Sequence, residues 1–238
     1  MNSFSVIAGS GHCGTKWLAS VLDSQRGVIW YHDFREEMTG LPWEVVDFWS
    51  PSDKRLAQYW RWIKGELTQS DVGDAASWST HLLPAVNEHM PIQRVIYMTR
   101  NGIQQLHSIA TTSPAMKSDP RPKVAEVKLR TLYDIWGKGE KPYEDMSHFE
   151  TLCLMVAAND FMPDWLRRNG LVVDVCSLDM LLKDVSVLGA LAPGLDEETL
   201  RRWQKTDINR KTAGGRAEST IWNNWPPEWR KTYKAVIG

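Results

Sequence analysis

The chain has 238 residues, enough for one large domain or at most two small ones. Hydrophobic residues make up 42% and charged residues 24%, a balance that excludes a largely disordered chain. Lys and Arg number 28 against 29 Asp and Glu, so the net charge of −1 excludes a general polyanion binder, and any anion site has to be local.

Cys13, Cys153 and Cys176 are too few and too scattered for a disulfide framework, and no Cys-x-x-Cys occurs. That usage points to reduced thiols in a cytoplasmic protein. No apolar run approaches the ~18 residues of a membrane span. The short apolar run near the N-terminus has no basic residue before it and meets a Gly-rich turn at once, unlike a signal peptide. The 13 Trp are spread along the chain and form no repeat, so they are expected in the core and in pocket walls.

Phe4–Ala8 reads as a short buried strand, followed by the Gly-rich turn 9–14 and a helix over about Thr15–Asp23. Gly27–Tyr31 reads as a second strand. A loop with Gly40, Pro42 and Pro51 leads to an amphipathic helix over Ser52–Gln69, with Leu56, Tyr59, Trp60 and Ile63 on its inner side. Gln93–Thr99 is a strand, and Asn101 can cap a helix that runs to about Thr111. Ser113–Lys123 carries three prolines and reads as a loop. Helical patterns occupy about 123–137 and 147–168. Gly170–Cys176 is a strand, short helices start at Ser177, Thr206–Ser219 is polar, and a last helix covers about Pro226–Val236. Strands alternating with helices predict one α/β domain over 1–238, a three-layer sandwich with a central parallel sheet. Ligands of such sheets bind at the carboxyl ends of strands, here the turns after Ala8, Tyr31, Thr99 and Cys176.

The first of those turns has the chemistry of an anion cradle. The first amides of a helix lack internal partners, and its dipole adds about half a positive charge. Gly9, Gly11 and Gly14 permit close backbone approach, Thr15 adds a hydroxyl, and His12 and Lys16 add cationic donors. Gly9 and Gly14 have the spacing of G-x-x-x-x-G-K-[ST], but Thr15 and Lys16 come in reversed order. A metal-dependent phosphoryl-transfer enzyme would want a carboxylate at a second strand end, where the Val95–Thr99 strand ends in Arg100. The residues therefore point to an anionic donor handled without a metal. Cys13 sits at a helix N-terminus, which favours a thiolate, but no Cys-His-Asn pattern accompanies it, and a small side chain lining the loop is the expectation.

Gly11-His12-Cys13-Gly14-Thr15-Lys16-Trp17-Leu18 resembles the 5′-phosphosulfate loop of the sulfotransferases that use 3′-phosphoadenosine 5′-phosphosulfate (PAPS). That family's pattern is a basic residue followed by Ser-Gly-Thr-Thr-Trp-Leu or a close variant. Val95–Ser108 resembles its second signature, a strand ending in Arg-Asn with a Ser eight residues beyond the Arg. The resemblance implies the P-loop-type sulfotransferase fold. It implies donor contacts from Gly11, His12, Cys13, Gly14, Thr15, Lys16 and Trp17 to the phosphosulfate end, and from Arg100 and Ser108 to the 3′-phosphate. Here His12 and Cys13 stand where the soluble members keep Lys and Ser, and Lys16 lies one helical turn along from the usual basic position. Lys16, His12 or both would support the bridging oxygen. Trp17 would stack on adenine or belong to the core of the first helix.

Two residues are candidates for the general base. His81, in Ser-Thr-His-Leu-Leu-Pro, resembles the Lys-Thr-His-Leu-Pro stretch of the soluble members; a helix-surface role is the alternative. Asp74 resembles the acidic base of the carbohydrate-type members; a turn or N-cap role is the alternative. His32 and Asp33, after the second strand, lie on the sheet edge where acceptors would bind. Arg210, Lys211 and Arg216 resemble the family's late basic segment, which folds over the 3′-phosphate; a solvated basic loop is the alternative.

The expected activity is sulfuryl transfer from PAPS, with release of 3′-phosphoadenosine 5′-phosphate (PAP) and no metal. The acceptor is a hydroxyl or amine of a small molecule, carbohydrate or lipid. The alternatives are a P-loop small-molecule kinase using ATP and a non-catalytic nucleotide-binding protein.

Overall fold

Phe4–Gly9 (β1) is almost entirely buried, with Phe4, Val6 and Ala8 on one face and Ile7 on the other. An apolar pattern on both faces suits a strand covered by helices on both sides. The computed structural model describes residues 2–25, 27–32, 61–75, 77–112, 123–137, 141–206 and 218–237. After β1 come Thr15–Asp23 (α1), Val28–His32 (β2) and Asp71–Ala75 (β3). A 3₁₀ turn, Ser77–Leu82, leads into Leu83–His89 (α2), Ile92–Thr99 (β4) and Gly102–Thr112 (α3). Lys123–Trp136 (α4) and His148–Arg168 (α5) precede Val173–Ser177 (β5). The chain then forms Leu178–Lys183 (α6), Val185–Leu191 (α7), Glu197–Lys205 (α8), Glu218–Asn224 (α9) and Pro227–Ile237 (α10).

The five strands form one parallel sheet in the order β2-β3-β1-β4-β5, which places β1 at the centre. One core layer packs Phe4, Val6, Val95 and Tyr97 against residues of α3, α4 and α5, including Leu106, Leu129 and Leu154. The other packs Ile7, Ile96 and Met98 against Trp17, Leu18 and Leu22 of α1 and Leu181, Leu188 and Leu200 of the later helices. The α/β class and the parallel sheet covered on both faces are therefore as expected.

The differences lie in the elements. β3 was not expected at all, since Asp74 reads as a turn or cap in the sequence. Asp71-Val72-Gly73-Asp74-Ala75 becomes a strand because it is paired on both sides, with β2 and with β1. Gly73 leaves room for an aromatic neighbour: a Cβ there would stand 2.2 Å from Trp30. Of the helix expected over Ser52–Gln69, residues 61–66 are helical and a turn follows, and 52–60 lie outside the described residues. β4 starts one residue earlier than expected, β5 runs over Val173–Ser177, and α9 starts inside the segment read as polar. The expected loop over 113–122 also lies outside the described residues.

The long helix α5 has a capping box, in which Ser147 Oγ accepts from Glu150 N at 3.3 Å and Glu150 Oε2 from Ser147 N at 2.6 Å. Residues 151–158 are all buried, so this helix is the spine of one layer.

Candidate functional site

The turn that leaves β1 is shaped by three left-handed residues, Gly11 (φ 101°), His12 (φ 55°) and Gly14 (φ 86°). His12 is the only non-Gly residue among the described residues with positive φ. Such a backbone is sparsely populated for a side chain and marks a turn whose shape is imposed by its surroundings. Gly14 is constrained twice, because a Cβ there would also come within 2.8 Å of Leu178. It ends the turn as the N-cap of α1 and offers no side-chain cap, so the amides at the start of α1 have neither an intrahelical nor a capping acceptor. Thr15 is buried and Lys16 exposed at this end of the helix.

Two other elements meet the turn. Arg100 follows the last residue of β4, and its Nη1 donates to His12 O at 3.3 Å. Its Nε is buried with no hydrogen-bond partner among the described residues. Partial burial pulls the guanidinium below its usual value and the Asp179 carboxylate pushes back, but the group stays cationic at neutral pH. Ser108, on α3, lies 3.1 Å from His12 Nδ1 through its Oγ. The strand-end Arg and the helix Ser are thus brought to one Gly-rich turn, eighty-eight and ninety-six positions away in sequence. Asn101 caps α3, accepting from the N–H groups of Ile103 and Gln104 at 3.1 Å each.

His12 keeps exposed surface, but protein atoms crowd its ring. That loss of water, with the Arg100 and Lys128 cations next to it, pushes its pKa down to about 4. The imidazole is neutral at pH 7. Cys13 is fully buried, and burial pushes its thiol up to about 11. Such a thiol is no nucleophile at neutral pH. The side chain packs inward instead of lining the loop, and its Sγ donates to Gly11 O at 3.2 Å. Trp17 takes the core alternative, 3% exposed with its Nε1 donating to Trp203 O at 3.2 Å, so its ring is not open to a stacking base.

Both candidate bases are buried: both ring nitrogens of His81 are closed to solvent, so its side chain is not the helix-surface histidine of the alternative, and Asp74 is fully buried. Thr80 Oγ1 donates to Gly9 O at 3.0 Å and accepts from Gly9 N at 3.3 Å, which pins the 3₁₀ turn bearing His81 to the end of β1. Asp74 is fully buried on β3 in register with Val6, three residues or about 10 Å short of Gly9. His32 ends β2, while Asp33, Arg210, Lys211 and Arg216 lie outside the described residues.

Comparisons with protein-family models and with curated proteins return no match to this chain. The site therefore has to be read from its own chemistry.

Several members of the site were not picked out from the sequence. Gln105 is fully buried, and its Nε2 donates to both Ser10 Oγ and Gly11 O at 2.7 Å. Asn159 of α5 donates to Gln105 Oε1 at 2.7 Å and accepts from Ser10 Oγ at 2.9 Å. Gln105 lies three residues before Ser108, one turn along the same helix face, and that spacing was the available signal. Lys128 of α4 adds its charge to the turn, with nothing in its own neighbourhood in sequence to mark it. A groove of about 770 Å³ between α3, α9 and α10 includes Ile103, Trp222 and Tyr233. Ile103 precedes Ser108 by five residues, about 140° around the helix, so the groove opens on a different side of α3 from the turn. Among the described residues no His, Cys, Asp and Glu cluster could hold a metal ion, and no helix is long and apolar enough to cross a membrane.

Proposed function

We propose that the protein is a sulfotransferase of the P-loop-type fold that moves a sulfuryl group from PAPS to a hydroxyl or amine. One observation carries the reading: Arg100 and Ser108 both converge on His12, within the turn whose amides start α1. A Gly-rich turn leaving the central strand of a parallel sheet supports the P-loop type. The buried Nε of Arg100 is a donor that a phosphate oxygen would satisfy, and a planar guanidinium binds a phosphate dianion through two oxygens.

In this reading the phosphosulfate rests on Gly11–Trp17 through backbone amides, Thr15 and Lys16, and the 3′-phosphate on Arg100 and Ser108. Cys13 and Trp17 contribute backbone only, since their side chains are buried. The proton of the acceptor goes to His81 or Asp74; both are buried, and the 3₁₀ turn of His81 is the one pinned to the strand end, by Thr80. The acceptor oxygen or nitrogen forms its bond to sulfur as the bond from sulfur to the phosphate oxygen breaks. PAP leaves with that electron pair, and the amides and Lys16 stabilise its growing charge. Neutral His12 serves as a hydrogen-bonding partner of Ser108, which leaves Lys16 as the cation for the bridging oxygen.

Calorimetric titration tests the donor. PAP should bind saturably, ATP more weakly, and Arg100→Ala should lose PAP affinity ten-fold or more. A preference for ATP overturns the reading. Labelled PAPS offered with phenols, sugars, amines and lipids in turn identifies the acceptor class.

A small-molecule kinase is the second reading, and one observation favours it. Asp74 puts a carboxylate on β3, beside β1, where no acidic strand end was expected. Its depth below Gly9 and its complete burial argue against contact with a phosphate-bound metal. Mg²⁺-dependent ATP turnover would select this reading.

A further inference from the structure

At the turn lies a closed ring of polar groups, with Ser10 and Gln105 buried and Asn159 partly so, and its hydrogen atoms can be assigned from one carbonyl. Gly11 O has only lone pairs, so the Gln105 amide must present Nε2 to it, at 2.7 Å. The same Nε2 donates to Ser10 Oγ at 2.7 Å. Gln105 Oε1 is then left to accept from Asn159 Nδ2 at 2.7 Å, and Asn159 Oδ1 accepts from the Ser10 hydroxyl at 2.9 Å. Gly11 O takes a second donor, Cys13 Sγ, at 3.2 Å. A trans peptide points its C=O and N–H in opposite directions. With Gly11 O turned toward two fully buried side chains, the His12 N–H points away from them.

We propose that Gln105 is a positioning residue that holds the Gly11–His12 peptide in this orientation, so that the His12 N–H is offered to the donor's anionic end. Without the amide, Gly11 is free to turn its carbonyl outward, where it would repel an anion and withdraw a donor. Asn159 acts one step further back, because it decides which end of the Gln105 amide faces Gly11. An Asp at 159 could only accept, would draw Nε2 to itself and would leave Oε1 against Gly11 O. This inference rests on the sulfotransferase reading for its ligand and on the ring alone for the peptide orientation.

The test uses the full chain as wild type, Gln105→Met and Asn159→Asp. Each is titrated with PAP by calorimetry, and ψ at Gly11 is read from the NOE between Gly11 Hα and the His12 amide proton. Both variants should change that NOE and weaken PAP ten-fold or more, with the amide spectrum of the sheet retained. An unchanged NOE in a folded variant overturns the proposal whatever happens to affinity, and so does a changed NOE with unchanged PAP affinity. Asn159 is only partly buried, so its variant decides if Gln105→Met does not fold. If the wild type binds no PAP, the sulfotransferase reading falls, and the NOE comparison still decides what Gln105 does.

Discussion

Thr80 and Gly9 exchange two hydrogen bonds, and that exchange separates the two candidate bases. The hydroxyl does for the end of β1 what a neighbouring strand does lower down, and it fixes there the backbone next to His81, whose imidazole is itself buried. Asp74 stays in the body of the sheet. His81→Ala is expected to lower turnover of the acceptor found by the labelled screen by about 10²–10⁴-fold, as loss of a general base does. Asp74→Asn is expected to keep turnover within a few-fold in whatever fraction folds. Steady-state PAP release, scaled to folded protein, checks both, and a larger loss at Asp74 reverses the assignment. At this scale the Gly-rich turn and the Arg-Asn strand end were legible, because glycines and charged residues at strand ends stand out by type. Gln105 and Asn159 were not. A buried amide has the same letter as a solvated one, and only its surroundings distinguish them.

β3, like the helix α2 that follows it, is an element that sequence reasoning missed, and for β3 the reason is physical. Asp71–Ala75 has two acidic residues, a Gly and an Ala, with Val72 alone of a strand-favouring type. Its conformation comes from pairing on both sides and from the Trp30 ring lying over Gly73. Gly73→Ala would drive a Cβ into that ring, and should cost about 1–3 kcal/mol, as overpacking does. The urea midpoint checks it, and Trp30→Ala in the same chain should recover part of the loss. An unchanged midpoint for Gly73→Ala means that Trp30 does not lie where β2 and β3 pair. By contrast α1, α5 and β4 are legible to within a residue or two, because their apolar periodicity, and for α5 its capping box, are local.

Stability against pH belongs to the whole molecule. His12 falls to about 4 from an ordinary 6.5, first through burial and then through Arg100 and Lys128. The unfolded chain therefore binds the proton first, and stability is lost as pH drops through the window from 6.5 to 4. Glu150 adds to the loss below its ordinary 4.5: burial alone would raise it, but the Lys141 and Ser147 hydrogen bonds bring it down. On the alkaline side, Cys13 is raised from 9.0 to about 11 by burial, so stability falls as pH rises through that range. Urea midpoints should be highest between about pH 7 and 9. His12→Asn, whose side chain tolerates positive φ, should flatten the acid limb between 6.5 and 4 by at most about 1 kcal/mol, because His12 is partly exposed. A variant whose acid limb follows that of the wild type means that His12 is not the group responsible.

Composition and alternating pattern were enough to determine an α/β chain with a parallel sheet and a Gly-rich turn after its first strand, since hydrophobic period and backbone freedom are properties of short stretches. That β1 lies at the centre, that Arg100, Ser108 and Gln105 meet one turn, and that Cys13 and Trp17 face inward were decided only in three dimensions. Contacts across eighty or more positions depend on the order in which strands are stacked, and no local stretch of the chain carries that order.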